Sequence, residues 1–133
     1  MINDTLNKLR NIVTGIRTSD DQIEQAEKEL GLKFAPEYIR YVKRFGVFSA
    51  SSIELTGITD IDRLNVVSAT KRERKLNSKI PNDMYVIENL AIDGFVVLQD
   101  AFGIIYYISP CYKPKKMFES LEEYVEITRV QKM

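Results

Sequence analysis

The chain contains no histidine, no tryptophan and a single cysteine, Cys111, among its 133 residues. Without histidine there is no Ser-His-Asp triad, no Cys-His pair and no histidine-ligated zinc ion. A single cysteine excludes an intrachain disulfide, a CxxC redox pair and a cysteine-based structural zinc site. The groups that remain for catalysis are carboxylates, lysines, tyrosines, serines and one thiol.

The chain also lacks long apolar runs. Its longest, Phe102–Ile108, is strand-sized and is interrupted by Gly103, whereas a membrane-spanning helix needs about 20 residues. Residues 1–10 show neither the basic nor the apolar region of a signal peptide. Since domains typically hold about 100–200 residues, we predict one cytoplasmic domain over residues 1–133, with no membrane segment.

Formal charge is balanced overall but unevenly distributed, with 19 basic and 19 acidic residues. Residues 20–29 hold five acids and one lysine, residues 119–126 hold four acids and no base, and residues 71–79 hold five bases and one acid. The basic run Lys71–Lys75 contains no aromatic residue and the pI is near 6.3. This pattern favours a solvated helix face over a nucleic-acid site, while the acidic segments suit a basic partner.

Apolar periodicity and capping residues predict five helices. The first is predicted over residues 2–16 because apolar side chains recur there at three- and four-residue steps, at Ile2, Leu6, Leu9, Ile12, Val13 and Ile16. The second begins at a capping box, Ser19 with Gln22, and ends at Gly31. Pro36 begins the third, which Gly46 closes. The fourth is predicted over residues 61–76, and the fifth follows the capping-box pair Ser120 and Glu123.

Strand-like runs occupy the middle and the second half of the chain. They are Ile53–Thr56, Met84–Glu88, Phe95–Gln99 and Ile104–Ile108. The last three are joined by short, turn-rich connections, which favour antiparallel pairing. Because helices and strands are segregated, we predict an α+β domain. Its antiparallel sheet of about four strands or more packs against N-terminal, middle and C-terminal helices.

The candidate catalytic patterns are weak. Ser68 and Lys71 have the Ser-x-x-Lys spacing, but the companion Lys-Thr-Gly and Ser-Asp-Asn signatures are absent. Asp93 and Asp100 flank a predicted strand and would lie about 20 Å apart, against about 5–10 Å for glycosidase carboxylates; both are interpreted as turn residues. Cys111 has lysine neighbours but no general base. We therefore predict no catalytic residue, cofactor or metal site.

Taken in order, several motifs resemble the SUKH superfamily. They are Thr18–Gly31, Phe34–Tyr38 with Tyr41, Phe45 and Gly46, Glu54–Gly57, Val66–Thr70 with Arg74, Tyr85–Glu88, Asp93-Gly94, Gly103–Tyr106 and Ser120–Tyr124. The resemblance extends from about residue 16 to residue 128. It departs from the usual pattern at Ala35-Pro36, where the family often has Leu-Pro or Phe-Pro followed by Trp. The motif residues are mostly apolar residues, glycine and proline, so they specify a fold rather than a site.

The superfamily includes fungal cell-wall assembly regulators and many bacterial immunity proteins. The resemblance therefore implies a cytoplasmic immunity protein that binds and neutralises a cognate toxin domain, for example a nuclease, of a polymorphic or contact-dependent system. The alternative is an intracellular regulatory or scaffold module without a toxin partner. A carboxylate- or Ser/Lys-based hydrolase is the third and weakest interpretation.

For a basic nuclease, acidic side chains are the predicted contacts. We predict partner binding by Asp20, Asp21, Glu24, Asp60, Asp62, Asp93 and Asp100. The basic segment Lys71–Lys75 would instead suit an acidic partner. Neither prediction involves nucleic acid or a membrane directly.

Overall fold

The α+β prediction is confirmed by the computed structural model, which describes residues 1–92 and 94–129. Within these residues the helices are α1 (Ile2–Leu6), α2 (Asp20–Leu30), α3 (Pro36–Phe45), α4 (Val66–Leu76) and α5 (Leu121–Thr128). The strands are β1 (Val13–Thr14), β2 (Phe48–Ala50), β3 (Ile53–Leu55), β4 (Tyr85–Asn89), β5 (Val96–Gln99), β6 (Ile105–Ile108) and β7 (Lys115–Phe118). They form two antiparallel sheets, in the orders β1-β2-β3 and β4-β5-β6-β7.

Helix α2 has the boundaries that its capping residues predict. The Ser19 hydroxyl accepts a hydrogen bond from the Gln22 backbone N–H at 3.2 Å, and the Gln22 side-chain oxygen accepts one from the Ser19 N–H at 2.9 Å. Gly31 ends the helix in the left-handed conformation, with φ of 69°. This reciprocal capping box fixes where the acidic face of α2 begins.

The predicted helix over residues 61–76 is divided in two. A short 3-10 turn over Asp62–Leu64 comes first, and α4 begins only after Asn65. The Asn65 side-chain oxygen accepts hydrogen bonds from the backbone N–H groups of Val67 and Ser68, at 3.0 and 3.2 Å. Asn65 is thus the N-cap of α4. The apolar periodicity of residues 61–76 continues across Asn65, although the backbone there is extended rather than helical.

The predicted N-terminal helix over residues 2–16 is wrong beyond Leu6. Asn11 has a φ of 57°, which an α-helix does not tolerate, and Val13–Thr14 pair with β2 instead. Ile16 is 89% exposed, so the apolar periodicity does not mark a buried face there. Strands β2 and β7 were not predicted from the sequence, since each is short and β7 carries two lysines.

The main core joins both sheets and all five of the described helices. Buried residues of the three-stranded sheet, Phe48, Ile53 and Leu55, belong to the same apolar cluster as Tyr85, Ile87 and Val97 of the four-stranded sheet. A smaller cluster lies beneath α4 and includes Ala69, Ile80, Met84, Val86, Val96, Leu98 and Ile108. The two sheets therefore share one continuous interior.

Thr56 holds the junction between the sheets. Its N–H donates to the Ile87 carbonyl at 2.8 Å, and its hydroxyl donates to the Val86 carbonyl at 2.7 Å. The Tyr41 hydroxyl donates to the Thr56 carbonyl at 2.7 Å, and the Tyr38 hydroxyl shares a hydrogen bond with the Thr56 hydroxyl at 3.0 Å. Burial raises the pKa of Tyr38 and Tyr41 above the ordinary tyrosine value, so both remain neutral donors.

Candidate functional site

A groove of about 440 Å³ lies between α2 and the segment that runs from Ile58 into α4. Its lining combines four carboxylates with a small apolar surface. The acidic residues are Asp21 and Glu29 from α2, with Asp60 and Asp62 from the loop after β3, and the apolar ones include Ile58 and Val67. We call this the acidic groove. It brings together two acidic segments that are about 40 residues apart in the sequence.

Backbone hydrogen bonds anchor the loop after β3, which forms one wall of the acidic groove. The Gly57 N–H donates to the Leu64 carbonyl, and the Val66 N–H donates to the Gly57 carbonyl, both at 2.8 Å. The Ile58 N–H donates to the Gly46 carbonyl at 2.9 Å. Asn65, at the opposite end of the loop, donates from its side-chain amide to the Thr59 carbonyl at 3.0 Å. The carboxylates of this loop therefore project from an anchored backbone.

Gly57 is required by the close approach of two chain segments. A Cβ at this position would lie 2.0 Å from the Gly46 carbonyl oxygen, which is far inside van der Waals contact. Gly46 itself has a φ of 73°. The loop that carries Asp60 and Asp62 thus packs directly on the end of α3, and only glycine allows this packing.

The charge of the acidic groove is only partly neutralised within the described residues. Asp62 is 84% exposed and lies 3.8 Å from the Arg72 guanidinium. Glu29 accepts a hydrogen bond from the Gln25 amide at 3.1 Å. Asp21 and Asp60 are exposed and form no ion pair with any described residue. The groove consequently presents negative charge to the solvent.

The predicted partner-binding residues are not all at one place. Asp21, Asp60 and Asp62 line the acidic groove. Asp20 is adjacent to it but pairs with Lys43 at 3.0 Å, and Glu24 lines a different depression farther along α2. Asp93 lies outside the described residues.

The assignment of Asp100 to a partner surface is corrected by its burial. It is only 7% exposed. One carboxylate oxygen accepts hydrogen bonds from the N–H groups of Phe102 and Ile104, and the other accepts one from the Tyr106 hydroxyl at 2.9 Å. Asp100 therefore stabilises the turn between β5 and β6, as its interpretation as a turn residue predicts.

Two of the groove's features were not predicted from the sequence. Glu29 belongs to the acidic segment of residues 20–29 but is not among the predicted contacts, and the sequence does not predict the apolar pair Ile58 and Val67. The helical spacing could have predicted Glu29 as a groove residue. It lies eight residues after Asp21, slightly more than two helical turns, and therefore on the same face of α2. Nothing in the local pattern around Ile58 indicates that it borders a groove.

The basic segment Lys71–Lys75 is partly occupied by structural contacts. Arg72 lies near Asp62 and near Glu73, at 3.8 and 3.9 Å. The Arg74 guanidinium donates to the carbonyls of Leu30 and Asn82, at 3.3 and 3.0 Å. Arg74 thus links α4 to the segments at Leu30 and Asn82, whereas Lys71 and Lys75 are exposed.

The Ser68 and Lys71 pair does not form a nucleophile–base contact. Ser68 lines the acidic groove, but within the described residues no hydrogen bond joins its hydroxyl to Lys71. The described part of the chain also assembles no group of three or more histidine, cysteine or acidic residues that could hold a metal ion. The exposed carboxylates of the acidic groove can pair with positively charged groups.

A buried carboxylate that does not line the acidic groove lies where β3, β4 and α5 meet. Glu88 is 5% exposed. It accepts hydrogen bonds from the Glu54 N–H at 2.9 Å, from Arg129 at 3.0 Å and from the Tyr124 hydroxyl. Burial raises the pKa of Glu88 above its ordinary value, even though these three donors oppose the shift. The cluster connects β3, β4 and α5 and is a structural element.

The arrangement of helices and sheets recurs in solved structures. Four chains match, among them the crystal structure of a protein from Pseudomonas syringae pv. tomato. The TM-score with it is 0.79 at 13% sequence identity, over 98% of this chain and 97% of that one. At this identity the likeness shows the fold alone: a small α+β domain. No curated protein matches the chain.

The family is shown by the sequence itself. The family model SUKH_5, described as "SMI1-KNR4 cell-wall", matches residues 2–128. The chain belongs to this family, which confirms the resemblance to the SUKH superfamily. None of the described helices has the length and apolar character needed to cross a bilayer.

Proposed function

We propose that this chain is a cytoplasmic immunity protein, which binds a cognate bacterial toxin domain and neutralises it without catalytic turnover. The observation that carries the proposal is the acidic groove, where Asp21, Glu29, Asp60 and Asp62 surround a small apolar surface. Membership of the SUKH family supports it, because immunity proteins form a large part of that superfamily. A basic toxin domain, such as a nuclease, is the partner that fits this charge.

Inhibition would follow from occupation of the toxin's cationic surface. A nuclease attracts nucleic acid through lysine and arginine side chains. Asp21 and Asp60, which have no ion pair with a described residue, can pair with such side chains, while Ile58 and Val67 provide apolar contact. Opposite fields raise the association rate, and a bound groove would exclude the nucleic-acid substrate.

Co-expression with toxin domains encoded by adjacent genes tests this proposal. We expect the native chain to restore growth and to bind the purified toxin domain. The double variant Asp21→Lys, Asp60→Lys should fail to restore growth and should lose about tenfold or more in affinity, since each substitution places like charge against the toxin. Asp83→Lys, which alters an exposed carboxylate outside the groove, is the matched control and should protect normally.

Two outcomes would contradict the proposal. If no neighbouring toxin is bound or neutralised, the immunity function is wrong; stable capture of a non-toxic intracellular partner would favour a scaffold module. If a toxin is neutralised equally by the native chain and by the folded double variant, the immunity function stands but the acidic groove is not the interface. Circular dichroism of each variant establishes that it is folded.

A further inference from the structure

A second hollow, of about 320 Å³, lies beside β6 and the edge strand β7 of the four-stranded sheet. We call it the aromatic hollow. Four large side chains line it, namely Phe95, Tyr107, Tyr112 and Met117, together with Ser109, Lys113 and Lys115. It shares no lining residue with the acidic groove. Its volume is at the lower end of the range of about 300–1,000 Å³ for small-molecule sites, so it has room for one or two side chains.

The walls of the aromatic hollow are set by strand pairing. Tyr107 on β6 is the register partner of Lys115 on β7, so their side chains lie on the same face of the sheet. The Tyr107 ring also packs edge-on against Phe118 and Tyr124, with ring centroids 6.2 Å apart in both pairs. Tyr107 on the inner wall is therefore packed against neighbouring aromatic rings, whereas Tyr112 on the outer wall is 69% exposed.

Positive charge surrounds this apolar surface. Among the described lining residues none is acidic, and two are lysines. The neighbouring Lys116 pairs with Glu119 at 2.7 Å, and Lys79 donates to the Cys111 carbonyl at 3.2 Å. Lys113 and Lys115, by contrast, form no ion pair with any described residue. The charge that complements the aromatic hollow is negative.

The edge of the sheet supplies a third feature. Strand β7 is last in the order β4-β5-β6-β7, and no described strand pairs with its outer side. An edge strand presents unpaired N–H and C=O groups, and an extended peptide can add to them as a further strand. Nucleic acid also suits aromatic and cationic surfaces, but it cannot continue a backbone ladder. An acidic peptide can contact the aromatic surface, pair with the two lysines and hydrogen-bond along the edge of β7.

We propose that the aromatic hollow is a docking site for an extended acidic segment of a partner protein. The segment pairs along β7, inserts one aromatic or large aliphatic side chain between Tyr107 and Tyr112, and places its carboxylates against Lys113 and Lys115. The proposal concerns a surface other than the acidic groove and does not depend on the immunity function.

Selection from a displayed library of random nine-residue peptides, with the full chain immobilised, tests the proposal. We expect the enriched peptides to combine acidic residues with one aromatic or large aliphatic residue. Synthetic copies carrying a fluorophore, followed by fluorescence anisotropy, give the affinities. An environment-sensitive dye on Cys111, the exposed residue next to Tyr112, gives an independent signal from the hollow itself.

Matched variants locate the binding site. The double variant Lys113→Glu, Lys115→Glu and the single variant Tyr112→Ala should each weaken peptide binding by about tenfold or more. Lys75→Glu, an exposed lysine on α4, should bind as the native chain does. N-methylation of alternate peptide amides should also weaken binding, because it removes the donors for strand pairing.

Three results would overturn the proposal. They are a selection that yields no acidic peptides, acidic peptides that bind the folded Lys113/Lys115 variant as tightly as the native chain, and a single-stranded oligonucleotide that occupies the hollow more tightly than the best peptide. Since these variants leave the acidic groove intact, protection against a toxin is a separate readout, and the two proposals can fail independently.

Discussion

Glu88 shows how a single charged side chain is accommodated in the core. It is buried, yet its two oxygens receive three donors, from Glu54, Tyr124 and Arg129. Loss of hydration still dominates, because burial raises the pKa of its carboxyl. The native state therefore favours the protonated form more than the unfolded chain does, and folding is coupled to proton uptake over a defined pH range.

We expect Glu88→Gln to reveal that coupling. The contribution of Glu88 to the free energy of unfolding is fully present below the unfolded pKa, about 4.3, and is lost as the pH rises through the higher native pKa. Glutamine has no such loss. Relative to the native chain, the variant should therefore gain stability between pH 4 and pH 7, as measured by urea unfolding.

Glu24→Gln, which neutralises an exposed carboxylate on α2, corrects for the general effect of removing one negative charge. A Glu88→Gln variant that instead loses stability relative to the native chain over this pH range would show that the Arg129 and Tyr124 contacts outweigh the burial of the carboxylate.

Gly57 is constrained by the close approach of two backbone segments. Only its lack of a side chain allows the loop after β3 to lie on Gly46. We expect Gly57→Ala to lower the free energy of unfolding by more than about 3 kcal/mol, because backbone atoms must move apart. Gly31→Ala is the control: its Cβ meets nothing within 4 Å, and only its φ of 69° is unfavourable, for about 1 kcal/mol. Equal losses in urea unfolding would argue against the close approach.

At the scale of helices and strands, the sequence predicts elements best where a local side chain satisfies the backbone. Ser19 with Gln22 and the glycines after α2 and α3 set boundaries that the structure confirms. The apolar periodicity of residues 2–16 failed because Val13–Thr14 find their partner in β2, more than 30 residues away. Local spacing contains no information about such a partner.

The sequence does not predict the cap that Glu37 of α3 provides for the N-terminus of α5. One Glu37 oxygen accepts hydrogen bonds from the Leu121 N–H at 2.8 Å and from the Gln99 amide at 3.0 Å, and the other accepts one from the Glu122 N–H at 3.0 Å. The Ser120 hydroxyl accepts from the Glu123 N–H at 3.0 Å. A carboxylate from α3 thus completes the N-terminus of a helix that begins 84 positions later.

We expect Glu37→Ala to lower the free energy of unfolding by about 1–3 kcal/mol, because it leaves partly buried N–H groups of α5 unpaired. Ser120→Ala should lower it by about 1 kcal/mol. Hydrogen exchange followed by NMR should show the loss of protection at Leu121 and Glu122 in the first variant and at Glu123 in the second. If both variants expose the same amides, α5 is capped as a unit rather than by two independent groups.

At the scale of the whole molecule, two sheets share one interior, and β3 meets β4 through Thr56. We expect a single cooperative unfolding transition in urea. Tyrosine fluorescence and far-UV circular dichroism should give coincident curves, because Tyr38, Tyr41 and Tyr85 all lie in the shared core. Separated transitions would mean that the three-stranded sheet opens independently.

The sequence predicts part of the acidic groove, which forms only in the folded molecule. The distribution of acidic residues along the chain predicts Asp21, Asp60 and Asp62 as partner contacts, and the fold brings these three to one groove. The same distribution includes Asp100, which is buried, because a sequence does not distinguish a carboxylate that binds backbone amides from one that faces the solvent. The aromatic hollow combines β6, β7, the loop that joins them and Phe95 just before β5, so only the tertiary structure reveals it.

Thr56 and Gly57 directly precede Ile58, the first loop residue of the acidic groove, and this placement has a consequence for how such a protein can change over generations. The hydrogen bonds that join the two sheets come from Tyr38, Tyr41 and Thr56, and none of these side chains lines the groove. Substitutions at exposed positions such as Asp21 and Asp60 generally alter stability by no more than about 0.5 kcal/mol. Residues that line the groove can therefore change with the binding partner while the hydrogen-bonded framework that joins the two sheets stays the same.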